Sequence, residues 1–147
     1  MRRARRIARA AARRGEVPVG AVVVLDGRAV AGAGNRTIGD HDPTAHAEVL
    51  ALRRAARRTR NHRLTGAILY VTLEPCLMCC GAAVHARVGR LVFGAPDPKV
   101  GAISSLFSRG GPAGLNHRFE IIGGVGADES AEVLRGFFRA RRDRRLK

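Results

Sequence analysis

The sequence predicts an α/β fold in which helices pack on a sheet. Short apolar runs alternate with helix-like stretches along the chain, a two-residue turn signal joins the first two runs, and Gly or Pro stands where most elements should stop. The length of 147 residues and the 46% hydrophobic content suit one core, so we read residues 1–147 as a single domain.

Residues 4–14 read as a short Ala/Arg helix that Gly15 ends. Val19 to Leu25 reads as a strand, Asp26-Gly27 as a hairpin turn, and Arg28 to Ala33 as the return strand. Residues 34–42 read as loop. A helix is expected from Pro43 or Thr44 to about Arg58, with Val49, Leu50 and Leu52 among its apolar positions. Ala67 to Leu73 reads as a buried strand, stopped where Pro75 forces Glu74 into an extended conformation. Cys76 to Val88 reads as a helix closed by Gly89, and Leu91 to Gly94 as a fourth strand. Residues 95–116 are rich in Gly and Pro and read as a long, functional or mobile loop, with one helical turn near Ile103 to Phe107. Phe119 to Ile122 is the fifth expected strand and Asp128 to Arg145 the terminal helix.

The chemistry concentrates in His46-Ala47-Glu48 and Pro75-Cys76-Leu77-Met78-Cys79. One imidazole and two thiolates make three zinc ligands and leave a fourth tetrahedral position open, as in catalytic rather than structural zinc sites. Cys76 and Cys79 are three apart, nearly one helical turn, so both sulfurs point the same way from a first turn whose dipole favours thiolates. His46 and Glu48 are two apart, roughly 200° around a helix axis. Both can approach one metal only if it lies off the helix's N-terminal end. Two thiolates cancel the charge of Zn2+ and a neutral imidazole adds none, so the metal keeps its Lewis acidity. Glu48 is then placed to move protons from a water to a ring nitrogen and a leaving amine. A lone Cys-x-x-Cys is often a redox pair or half of a structural zinc knuckle. A redox pair leaves His-x-Glu unexplained. A knuckle needs a fourth ligand, and Cys80, beside Cys79, reads as a small buried residue. His41, His62, His85 and His117 read as surface or structural histidines.

The charge balance sets the partner class. There are 27 Lys and Arg against 12 Asp and Glu, a net +15. Clusters lie at Arg2–Arg14, at Arg53–Arg63 and from Arg135 to Lys147. Such a chain attracts a polyanion through counterion release, and a nucleic acid is favoured over a merely solvated surface given the site beside it. Aromatic residues are scarce, so recognition should depend on loop shape and pocket fit more than on stacking. The longest apolar runs are too short to cross a bilayer, and the Arg-rich start lacks the apolar stretch of a secretory signal. With three cysteines and no export signal, a reducing, cytoplasmic setting is expected.

The order His-x-Glu then Pro-Cys-x-x-Cys resembles the cytidine and deoxycytidylate deaminase superfamily, whose Glu serves as acid and base. The flanking blocks Glu16–Ala21, His41–Glu48, Leu69–Cys76, Val92–Ala95 and Asn116–Arg118 resemble the bacterial tRNA-specific adenosine deaminases, as does the tail around Phe137–Arg142. The resemblance implies a three-layer α/β/α cytidine-deaminase-like fold, with a central mixed five-stranded sheet and helices on both faces. It implies hydrolytic deamination of the wobble adenosine of a tRNA anticodon to inosine, by a homodimer with one zinc per subunit. His46, Cys76 and Cys79 would hold zinc and Glu48 would shuttle protons. Asn35 would bond the flipped base, and Asp97 the anticodon-loop backbone; read locally, Asn35 is better taken as a turn residue after Gly34, and Asp97 is alternatively a turn aspartate between Pro96 and Pro98. Lys99, between Pro98 and Val100, joins Asp97 in that expectation, and Phe138, Arg141 and Arg142 would meet RNA from the terminal helix. Two other readings share the zinc core: a deaminase of free guanine, cytosine or cytidine, and a non-catalytic zinc-stabilised RNA-binding module.

Overall fold

A computed structural model describes residues 1–107 and 114–145. The part of the expected long loop at 108–113, and Lys147, lie outside the described residues. The chain runs α1 (Arg2–Arg13), β1 (Gly20–Leu25), β2 (Arg28–Gly34), α2 (Ala47–Thr59), β3 (Ile68–Leu73), α3 (Leu77–His85), β4 (Arg90–Ala95), a π-helical turn (Ile103–Phe107), β5 (Glu120–Ile122) and α4 (Ala127–Arg145). The five strands form one sheet in the order β2-β1-β3-β4-β5. β1 is antiparallel to β2 and β3, whereas β3, β4 and β5 run parallel. Helices α1 and α4 pack on one face, α2 and α3 on the other. This is the mixed three-layer architecture expected from the sequence.

Local chemistry explains most boundaries. Asp26 (φ 49°) and Gly27 (φ 73°) both take left-handed backbone, as a two-residue hairpin turn requires. On α1, Ala4, Ala8 and Ala11 form the buried face. They lie so close to β1 that a Cβ at Gly20 would collide with the carbonyl of Ala4 and the amide of Ala8. The core between the α2/α3 layer and the sheet holds Val23, Leu69, Val71 and Leu91 with Leu52, Val84 and Phe107.

Two helices differ from expectation. α2 begins at Ala47, not at Pro43 or Thr44, because the Asp42 carboxylate accepts both the amide and the hydroxyl of Thr44, at 2.7 Å each. That Asx turn competes with helix over residues 42–45. α3 ends at His85, short of Val88, because Arg87 takes a left-handed φ of 60°. Gly89 therefore does not close the helix. It lies just before β4, where its amide donates to Ala67 O and a side chain would crowd Gly66.

Candidate active site

Strand directions place the site. β1 runs antiparallel to β3, so the start of β1, the end of β2 and the ends of β3 and β4 share one edge of the sheet. The connections leaving β2 and β3 bring the N-termini of α2 and α3 to that edge. His46 is the N-cap of α2, and Glu48 sits in its first turn. Cys76 is the N-cap of α3, and Cys79 follows in its first turn. Neither N-cap residue makes a side-chain capping bond to its helix. The later start of α2 supplies the geometry that the His46–Glu48 spacing demands.

The three ligand atoms form a compact triangle. Cys76 Sγ lies 3.7 Å from His46 Nδ1 and 3.7 Å from Cys79 Sγ, and Cys79 Sγ lies 3.5 Å from His46 Nδ1. Tetrahedral zinc, with Zn–S about 2.3 Å and Zn–N about 2.0–2.1 Å, requires edges of about 3.8 Å between sulfurs and about 3.6 Å from sulfur to nitrogen. The trio fits zinc in donor chemistry and in size. Among the described residues it is the one group of His, Cys, Asp or Glu able to hold a metal. Cys79 and His46 beside Cys76 hold its thiol down at about 4, and the bond to Cys76 together with burial pushes the Cys79 thiol up. The Cys76 contact raises the imidazole of His46. One thiolate is thus already favoured, and metal binding displaces the protons held by Cys79 and His46.

The trio opens on a cavity of about 250 Å³ lined in part by Asn35, Thr37, His46, Glu48, Glu74, Cys76, Asp97 and Val100. That is below the usual range for drug-sized ligands and suits one small ring system. Glu48 is 4% exposed, and burial raises its carboxyl above the ordinary range, which favours proton uptake. Asn35 is buried, and its Oδ1 accepts the Ala47 amide at 2.8 Å. That bond caps α2 from outside and fixes the side-chain amide, leaving Nδ2 as the donor for the cavity. Asn35 is therefore both the turn-associated residue that local reading suggests and a cavity group.

The remaining expected contacts separate into distinct places. Asp97 lines the cavity, and its Oδ1 accepts the amides of Lys99 (3.0 Å) and Val100 (3.3 Å), so it also builds its own turn. Lys99, Phe138 and Arg142 share a neighbouring cleft of about 500 Å³ with Arg135 and Arg139. Arg141 lies elsewhere, in a cleft of about 330 Å³ with Arg13, its guanidinium 5.3 Å from the ring centre of Phe137. Cys80 is fully buried, with its sulfur 3.9 Å from Pro75 O, outside the ligand triangle.

Sequence reasoning missed two buried carboxylates. Glu74 is 4% exposed and accepts the amides of Asp97 and Ser104, at 2.9 Å each, and the Ser104 hydroxyl at 3.0 Å. Gly101 packs so closely that a Cβ there would lie 2.5 Å from the Glu74 carboxyl carbon. The Ala102 amide also donates to Pro75 O at 2.9 Å, so the segment carrying Asp97 and Val100 is tied to the segment carrying Cys76. On the opposite rim, buried Glu16 accepts the amides of Gly39 (2.7 Å) and Ile38 (3.2 Å) and holds the turn bearing Thr37. The available signal was weak: an acid at the end of an apolar strand, and another just after a helix-ending glycine.

Known proteins agree with this geometry. The family model for MafB19-like deaminases matches residues 1–142. A tRNA-specific adenosine deaminase of Haemophilus influenzae is 50% identical over 97% of this chain and 83% of its own length. A solved structure from work on A-to-I editing by tRNA:A34 deaminases at the wobble position of transfer RNA superposes with a TM-score of 0.84 at 48% identity, covering 89% of this chain and 95% of that one. A guanine deaminase from Nitrosomonas europaea shares the fold, with a TM-score of 0.75 over 92% of this chain and 80% of its own, at 23% identity. With its zinc-sized ligand triangle at two converging helix ends, the chain matches the MafB19-like deaminase family and belongs to the tRNA-specific adenosine deaminases.

Proposed function

We propose that this chain hydrolytically deaminates the wobble adenosine (position 34) of a tRNA anticodon to inosine, as a single deaminase domain over residues 1–147. The observation that carries the reading is a base-sized cavity, floored by a zinc-fitting triangle and bordered by an arginine-lined cleft at the Asp97–Val100 loop. His46, Cys76 and Cys79 would hold the zinc, which when bound supplies the Lewis acid that acidifies water. Glu48 takes a proton from the attacking water and delivers it to the ring nitrogen beside C6, then takes the second proton from the new C6 hydroxyl and hands it to the departing amine. The C6–O bond forms, the C6–N bond breaks, and ammonia leaves. Asn35 offers its amide N–H to an acceptor on the base. Asp97 faces the loop backbone, and Lys99, Phe138, Arg141 and Arg142 meet phosphates and sugars around it. A hairpin loop presents already splayed bases, so drawing one into the cavity costs little stacking energy.

A homodimer with one zinc per subunit, working in the cytoplasm, accompanies this reading by resemblance. All three cysteines are unpaired, in keeping with a reducing compartment. No helix among the described residues is long and apolar enough to cross a membrane.

Incubation of the zinc-loaded protein with an anticodon stem-loop carrying a wobble adenosine, followed by sequencing, tests the proposal. An A-to-G change confined to that position is expected. Ammonia release from free guanine, cytosine or cytidine with none from RNA would replace it with a free-base activity. RNA binding that depends on zinc, without turnover of any substrate, would leave a binding module.

A further inference from the structure

The catalytic reading uses only part of this chain's positive surface, and a larger cleft lies elsewhere. It occupies about 780 Å³ between the first half of α1 and the start of α4, and its walls carry Arg2, Arg3, Arg5, Arg6 and Arg9 against a single carboxylate, Glu129. Among the described residues the ion pairs are Arg5–Glu129, Arg36–Asp40 and Arg90–Glu120. Arg2, Arg3, Arg6 and Arg9 take part in none of them, and all four are exposed.

The helix holds this charge in order. Arg2, Arg6, Arg9 and Arg13 recur at steps of four, three and four residues, so they share one stripe with neighbours about 5–6 Å apart. The opposite face is locked, because Ala4, Ala8 and Ala11 are buried and Gly20 lets the α1 backbone rest directly on β1. α1 cannot roll its arginines inward. α1 and α4 also run side by side in the same direction: Arg5 meets Glu129 near one end, and Arg13 shares a cleft with Phe137 and Arg141 near the other. A separate cleft on another side of α4 contains Lys99, whose neighbours Asp97 and Val100 line the catalytic cavity. The arginines of α1 thus run along a helix about 18 Å long and meet Arg141 of α4 at its far end.

We propose that the arginine stripe on the first half of α1 is a second phosphate-binding surface, one that grips the tRNA outside the anticodon stem-loop. This rests on the tRNA reading above. A regular ladder of guanidiniums suits a polymer that presents one charge at every residue, and such contacts add affinity without adding base specificity.

The test compares full-length tRNA with the isolated anticodon stem-loop, both carrying a wobble adenosine. The variant is R2Q/R3Q/R6Q/R9Q, with R2K/R3K/R6K/R9K as the charge-retaining partner. Filter binding across a salt series and steady-state turnover are both measured. In the Gln variant, Kd and KM for full-length tRNA should rise roughly tenfold at moderate salt, and the log–log salt slope should fall by about 2 to 3. kcat and KM for the stem-loop should stay at the wild-type level, which also shows that the variant is folded. The Lys variant should retain most of the full-length affinity. Equal losses on both RNAs, or unchanged tRNA affinity, would overturn the proposal. If the wild type binds both RNAs but edits neither, the deaminase reading fails, while the binding comparison still decides whether α1 is an RNA surface.

Discussion

The catalytic cavity and the α1/α4 face handle charge in opposite ways. Around the cavity three acids are buried, Glu16, Glu48 and Glu74. Glu16 and Glu74 are saturated by backbone amides at defined distances, and these bonds hold the two rims of the cavity. On the α1/α4 face arginines predominate, most of them exposed, around clefts whose linings hold one acid, Glu129. Burial at the first excludes water and fixes positions, which proton transfer requires. Exposure at the second leaves long side chains free to follow a polyanion, whose attraction does not depend on placement to a tenth of an ångström. Reaction and grip are thus assigned to regions built from different physics.

The contrast predicts a ranking of effects. The largest belongs to Glu48. Glu48→Gln should lower kcat on the stem-loop by roughly 10²–10⁴-fold while metal analysis still finds one zinc per chain. Full turnover in a zinc-loaded variant would remove Glu48 from its role.

Glu74 should come next, and it separates holding a rim from doing chemistry. Glu74→Ala leaves three donors from the 97–104 segment without their acceptor, at a cost of about 1–3 kcal/mol of stability. Thermal melts should report that loss, and KM for the stem-loop should rise more than kcat falls. Glu74→Gln, which keeps one acceptor oxygen, should lie between. A pure stability loss with KM unchanged would show that the clamp does not shape the RNA-facing rim.

Cys80 tests whether the buried end is indifferent to a sulfur outside the triangle. Its sulfur is buried against Pro75 O, outside the ligand triangle, and burial pushes its thiol up to about 12. Cys80→Ala should leave the zinc content unchanged and lower stability by about 1 kcal/mol or less. Loss of zinc would exchange its role with that of Cys79.

The smallest effect should come from a single arginine of the open face. Arg142→Gln should raise KM for RNA by a few-fold at low salt and leave it nearly unchanged at high salt, where exposed charges are screened. A large effect that persists at high salt would show that Arg142 is buried against RNA and that grip, like reaction, depends on exact placement.

The sequence by itself determined whatever depends on near neighbours along the chain. Turn chemistry at Asp26-Gly27, the one-turn spacing of Cys76 and Cys79, and the two-residue offset of His46 and Glu48 all act within a few residues. They sufficed for the alternation of elements, the ligand set and the requirement that the metal lie off a helix end. Only the tertiary structure decided the rest. Asn35 finds the Ala47 amide twelve residues away, Glu16 reaches Gly39 across twenty-three, and Glu74 reaches Ser104 across thirty. No local pattern encodes which amide a buried carboxylate will meet. Even the start of α2 turned on a balance between an Asx turn and one more helical turn, two local structures of similar free energy. The division of the arginines into a track along α1 and α4 likewise appears only when packing sets those helices side by side, because charge spacing along a chain does not say which neighbour will continue it.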